Sequence, residues 1–160
     1  MSMIARLFKS EDRSVTQSKL YSEETFYKAF FRDIKKSKDY VVIESPFITV
    51  KRASELASKV RKLVRHGVIV KIYTRNPLHH TSSLANQTIA GSQILKDAGA
   101  RVILCDDMRH RKLVIIDGKI LWEGSLNVLS QACSKEIMRR TQSEYSCSEM
   151  LAFTGLTVVS

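Results

Sequence analysis

Apolar and polar positions follow two rhythms along this chain. From Ser22 to Lys38, Phe26, Phe30, Phe31 and Ile34 recur at helical spacing, with Ser22-Glu23-Glu24-Thr25 as an N-cap before them. "DYVVIESPF" is short, apolar and β-branched, which predicts a buried strand stopped at Pro46. The helical rhythm returns over residues 52–66, with Leu56, Val60, Leu63 and Val64 on one face and His66-Gly67 as the stop. "VIVKIYTR" predicts a second strand ended by Asn76-Pro77, residues 83–98 a further helix closed by Gly99, and "RVILC" a third strand.

Strand, helix, strand, helix, strand argues for parallel βαβ units. The pattern then changes. "KLVII" and "KILWEG" flank Asp117-Gly118, a signal for a two-residue hairpin, and "EIMRRT" extends the series by one strand. The expected fold is α/β: a mixed, largely parallel β-sheet flanked by helices on both faces. Trp122 and the phenylalanines of the first helix are expected in its core, and Cys105 in buried strand packing. Residues 1–18 are polar and mixed and read as a loose lead-in, leaving 19–160 as one domain, an ordinary size for one core.

Lys and Arg number 26 against 16 acids, a net +10, which favours polyanionic partners. Residues 51–75 hold eight Lys and Arg and one acid. Lys59, Arg61, Lys62 and Arg65 lie on the second helix, where they form either a solvated face or a DNA contact. The three cysteines, Cys105, Cys133 and Cys147, form no C-x-x-C pair, so reduced thiols in a cytoplasmic setting are expected. "MSMIARLFKS" lacks the apolar core of a signal peptide, and no apolar run approaches the roughly 20 residues of a membrane span. The expectation is a soluble protein with no membrane insertion, its apolar tail "MLAFTGLTVVS" serving as core or interface.

The candidate chemistry lies in "RHRKLVIIDGKILWEGSLN", residues 109–127. Residues two apart in an extended segment share a side, so His110 and Lys112 project together at the start of a buried strand. The hairpin returns Gly124, Ser125 and Asn127 to that same end. An imidazole, an ammonium, a hydroxyl, a carboxamide and the N–H groups of a Gly-containing turn all suit phosphate. Ser125 and Asn127 equally suit the cap of a short helix after the hairpin. Asp117 suits a turn better than a catalytic role. His66, His79 and His80 form no cluster with metal-ligand spacing.

The spacing H-x-K-x4-D-x6-G-S-x-N resembles the HKD motif of the phospholipase D superfamily, and His110, Lys112, Asp117, Gly124, Ser125 and Asn127 complete it. At average usage the six arise together by chance in roughly one chain in a million. With the βαβ lead-in and Glu136 the resemblance covers residues 20–142, and it is nearest in kind to the small single-motif bacterial nucleases. It implies that His110 is the nucleophile, forming a phosphohistidine. Lys112, Ser125 and Asn127 would hold the phosphate oxygens, and Glu136 would accept a hydrogen bond from the other imidazole nitrogen. Asp117 counts with the catalytic set in the motif, although the family uses it structurally. No metal or other cofactor is implied.

The reaction uses two histidines, one to attack and one to protonate the leaving oxygen. A chain with one motif therefore implies a homodimer with a shared site on its two-fold axis. The expected function is a metal-independent phosphodiesterase, an endonuclease hydrolysing DNA. Two alternatives stand beside it: a lipid phosphodiesterase of the same chemistry, and a non-catalytic DNA-binding or dimerisation module of a larger helicase or restriction enzyme. A helicase or DNA-recognition domain is accordingly a further candidate partner.

Overall fold

The computed structural model describes residues 17–159. In chain order the elements are β1 (Gln17–Ser22), α1 (Phe26–Ile34), β2 (Tyr40–Glu44), α2 (Val50–Arg65), β3 (Ile69–Arg75), a 3-10 turn (Pro77–His79), α3 (Ser82–Asp97), β4 (Arg101–Cys105), β5 (Leu113–Ile116), β6 (Ile120–Gly124), β7 (Ile137–Gln142) and α4 (Glu144–Thr154). The expected lead-in, residues 1–18, lies outside the described residues except for its last two, which open β1.

The seven strands form one sheet in the order β1-β7-β6-β5-β2-β3-β4. Its β2-β3-β4 half is parallel, as the strand–helix–strand pattern predicts. The expectation of a largely parallel sheet is corrected: four of the six pairings, β1·β7, β7·β6, β6·β5 and β5·β2, are antiparallel. After β4 the chain crosses to the far side of β2 and enters β5 antiparallel to it. The tight β5–β6 hairpin and the longer 125–136 connection to β7 each reverse direction again, and β1 pairs antiparallel with β7 at the edge.

Both crossovers run the same way across the sheet. Their right-handedness therefore places α2 and α3 on one face, where they and α1 cover Val41, Ile43, Ile72, Val114 and Trp122. The other face carries α4 through Cys147, Met150 and Leu151 against Val42, Leu113, Ile115 and Leu121. Helices thus flank both faces, unequally. Phe26, Phe30 and Trp122 are buried as expected, whereas Cys105 is half-buried. The apolar tail is a helix that seats only Cys147 fully, followed by buried Leu156, while Phe153 stands exposed. Among the described residues no helix is long and apolar enough to cross a membrane.

The β5–β6 hairpin sets the distance between two ends of the molecule. Asp117 and Gly118 both take positive φ, 53° and 62°, and Lys119 N–H closes the turn on the Ile116 carbonyl at 3.0 Å. That is the type I′ geometry that right-twisted strands favour. The hairpin returns β6 to the level of Lys112, where Gly124 N–H donates to the Lys112 carbonyl.

Candidate active site

The C-terminal ends of β2 and β3 meet the segment leading into β5, because β2 and β5 pair with Glu44 opposite Leu113. Glu44 ends an apolar strand and is wholly buried. Its carboxylate accepts from Arg111 Nε at 3.0 and 3.2 Å and pairs with Arg109 Nη1 at 3.3 Å. One buried acid thus clamps both neighbours of His110. Arg75, at the end of β3, donates from Nη2 to the Arg109 carbonyl at 2.8 Å, fixing the same segment from below. A buried carboxylate is tolerated only when paired in this way. Sequence reasoning does not single out Glu44 or Arg75; an acid closing the apolar run "VVIE" is the available signal.

His110 is exposed, with Phe47 set edge-on beside it at 6.1 Å between ring centres. The Lys112 ammonium hydrogen-bonds His110 Nδ1 and donates to the His110 carbonyl at 2.6 Å. Burial, then the Lys112 charge, then Arg75 hold the His110 ring below the ordinary histidine pKa. The ring is therefore neutral near pH 7, the form that can attack an electrophile. Burial also lowers the Lys112 pKa, with Glu136 opposing the shift and Arg75 adding to it.

On the return strand, a Cβ at Gly124 would stand 2.2 Å from the Ile137 carbonyl oxygen, so only glycine lets β6 run this close to β7. Ser125 N–H donates to that same carbonyl at 3.0 Å, and Ser125 Oγ accepts from Ile137 N–H at 3.1 Å. No helix follows the hairpin, so Ser125 and Asn127 are not helix caps. Asn127 instead opens a turn through its carbonyl, which accepts from Ser130 and Gln131, and its buried Oδ1 has no partner among the described residues.

Glu136 accepts from Ser134 Oγ at 2.8 Å. The Ser125 hydroxyl, then Ser134 and, more weakly, the Lys112 charge hold its carboxyl below the usual range. The hydrogen bond expected from His110 to Glu136 is not formed within the chain; Lys112 occupies that imidazole nitrogen instead. His110, Lys112, Ser125 and Glu136 are thus gathered at one end of the sheet.

Asp117 is not with them. It sits at the far end of β5, roughly 20 Å away, and accepts from Ser37 Oγ and from the N–H groups of Lys38, Asp39 and Tyr40 at 2.8–2.9 Å. Its place in the catalytic set is corrected accordingly: its carboxylate ties the α1–β2 loop to the hairpin turn. Lys59, Arg61, Lys62 and Arg65 also lie away from His110, in the second half of α2. Lys59 is engaged within the fold, donating to the Glu55 carbonyl and covering the Phe31 ring. His79 and His80 follow β3, and His80 stacks at a tilt on Phe47. Among the described residues no three His, Cys, Asp or Glu side chains are grouped to hold a metal ion.

Solved structures share this architecture. Nuc from Salmonella typhimurium, a phospholipase D family member, superposes with a TM-score of 0.72 at 14% identity, over 86% of this chain and 91% of its own. NucT from Helicobacter pylori gives 0.67 at 18% identity, over 86% and 92%. Phosphatidylserine synthase from Haemophilus influenzae gives 0.64 at 14%, over 85% of this chain and 38% of its own. These identities establish the fold. No curated protein matches the sequence. A family model described as cardiolipin synthase, PLD-like domain, matches residues 30–152, and with that span the chain belongs to the phospholipase D-like family.

Proposed function

We propose that this protein is a phosphodiesterase that hydrolyses DNA without a metal ion, through a phosphohistidine on His110, at a site completed by a second copy of the chain. The observation that carries the reading is the exposed His110, its two flanking arginines held by Glu44 and Arg75, beside the Lys112 ammonium. Lys112, Ser125 and Asn127 bind the non-bridging oxygens and stabilise the charge that develops on them. Asn127 would reach a bound phosphate through its Nδ2 amide, since its buried, unpartnered Oδ1 is an acceptor.

Two features favour a shared site. Among the described residues no second imidazole and no carboxylate hydrogen-bonds His110, and Glu136 of a second copy would supply the carboxylate. A groove of about 500 Å³ also runs beside Lys112 and Gly124, lined by Leu20, Ile137 and Phe153, all three more than half exposed at 52%, 58% and 81%. Apolar exposure flanking a catalytic lysine suits a protein partner better than water. Charge chooses among substrates: the +10 balance favours DNA over a lipid or a purely structural role. The three free thiols suit a reducing, cytoplasmic setting.

The test is cleavage of end-labelled DNA in excess EDTA, with an alkaline denaturing quench during turnover, because the N–P bond of a phosphohistidine hydrolyses in acid. Full activity with EDTA and label recovered on His110 is expected. Activity that vanishes with EDTA and returns with Mg²⁺ would replace the mechanism with a metal-dependent one.

A further inference from the structure

At the end of the sheet opposite His110, the loop from α1 into β2 and the last turns of α2 border a cleft of about 960 Å³. Lys35, Lys36, Lys38, Lys59, Lys62 and His66 line it, over a floor that includes Leu63 and Val68. No acidic side chain lines it, and among the described residues no carboxylate forms an ion pair with any of these cations. Like charges gathered this closely repel one another, so a polyanion that displaces their counterions is bound favourably.

The cleft is joined to the catalytic end by α2. This helix begins beside the turn that follows Ser125, where Thr49 N–H donates to the Leu129 carbonyl and Arg52 Nε to the Gln131 carbonyl. It ends at the cleft, about 24 Å away. Its exposed positions are Lys51, Ser54, Ser58, Arg61, Lys62 and Arg65, all cations or hydroxyls. The only acid in α2, Glu55, is neutralised by Arg52 at 2.7 Å.

We propose that this stripe and cleft form an anchoring track for the phosphate backbone of duplex DNA, separate from the catalytic centre and engaged only by substrates long enough to span it. A membrane is the less suitable polyanion, because α1 and α2 carry none of the large exposed apolar side chains that insert into a bilayer surface. A duplex rises about 3.4 Å per base-pair step, so the track spans about seven steps. The inference rests on the DNA-cleaving reading above and adds to it a dependence on substrate length.

The test combines Lys35→Ser, Lys36→Ser and Lys38→Ser in the full chain, with circular dichroism to verify the fold. For a duplex of roughly 30 base pairs, KM is expected to rise about tenfold. The slope of log binding constant against log salt should flatten by about 0.9 for each phosphate that is no longer neutralised. A trinucleotide, too short to reach the cleft from His110, should be cleaved as before. Unchanged duplex KM and salt slope, or an equal loss on the trinucleotide, would overturn the track. Loss of binding to anionic phospholipid vesicles with duplex binding intact would overturn it in favour of a membrane. Duplex binding is also measured with the three serines placed in the His110→Ala chain. If the wild-type chain cleaves no DNA but these serines still weaken binding, the cleavage reading fails and the track stands.

Discussion

The two ends of the β5–β6 hairpin are built from the same motif and do opposite things. At one end His110 is exposed beside the half-buried Lys112, with the arginines that flank His110 pinned to the buried Glu44. At the other, Asp117 is turned inward and its carboxylate is used up by one hydroxyl and three backbone N–H groups. Fixed spacing in a sequence thus mixes chemistry with the scaffold that aims it. The x4 interval is β5 and the x6 interval is the rest of the turn and most of β6, with Asp117 marking where the chain turns.

Substitution should separate the ends sharply. His110→Ala removes the proposed nucleophile and is expected to cut turnover by about 10⁴-fold or more, with the melting temperature unchanged because the ring is exposed. Asp117→Ala should do the reverse. It leaves three loop N–H groups without their acceptor and costs about 2–3 kcal/mol of stability, while the folded fraction keeps its turnover. Burial pushes the Asp117 carboxyl up, but the bonds from Tyr40, Asp39, Lys38 and Ser37 outweigh it and leave the pKa below the ordinary aspartate value. A depressed folded pKa contributes stability that is complete above about pH 4 and is lost as pH falls through the lowered value. The gap in melting temperature between wild type and Asp117→Asn should therefore be widest near neutrality and close in acid. A gap that widened in acid would contradict this assignment.

How much of this is legible in the sequence follows the range of the interactions. The parallel half, the hairpin and the buried Trp122 rest on local periodicity and turn chemistry, and both can be read from neighbours in the chain. β1 reads partly as lead-in and partly as a helix cap, because "QSKLYS" has no apolar alternation. It is an edge strand, mostly exposed, made only by pairing with β7. The antiparallel majority depends on β5 settling beside β2, a pairing between residues about 70 apart. In the site, His110, Lys112, Gly124, Ser125 and Asn127 are legible by spacing. Glu44 is not, because its partners come from a segment some 65 residues later.

Glu44 is the sharpest single test of how the catalytic end is aimed. Glu44→Gln keeps the size and one acceptor but removes the charge that holds Arg109 and Arg111. The expected outcome is a tenfold to hundredfold fall in kcat with KM little changed, since loosening a positioned nucleophile weakens the transition state more than the bound ground state. Glu44→Asp, which keeps the charge, should recover part of the loss. A fall confined to KM would mean that the arginines serve substrate binding, and that His110 needs no clamp.

The smallest expected difference, a factor of two, decides whether the catalytic end is complete in one chain. Wild-type and His110→Ala chains are unfolded together, mixed and allowed to reassort. If each centre needs the histidines of both copies, only wild-type homodimers turn over and activity follows the square of the wild-type fraction. An equal mixture then keeps about a quarter of full activity. A self-sufficient chain keeps about half, because every wild-type copy works alone. The geometry leans on the first outcome through Glu136, which bonds Ser134 rather than the His110 of its own chain. A linear decline, or sedimentation of the native protein as a monomer, would defeat the shared site. The second imidazole would then have to come from the same chain, and His80, which packs against the same Phe47 ring as His110, is the residue to replace next.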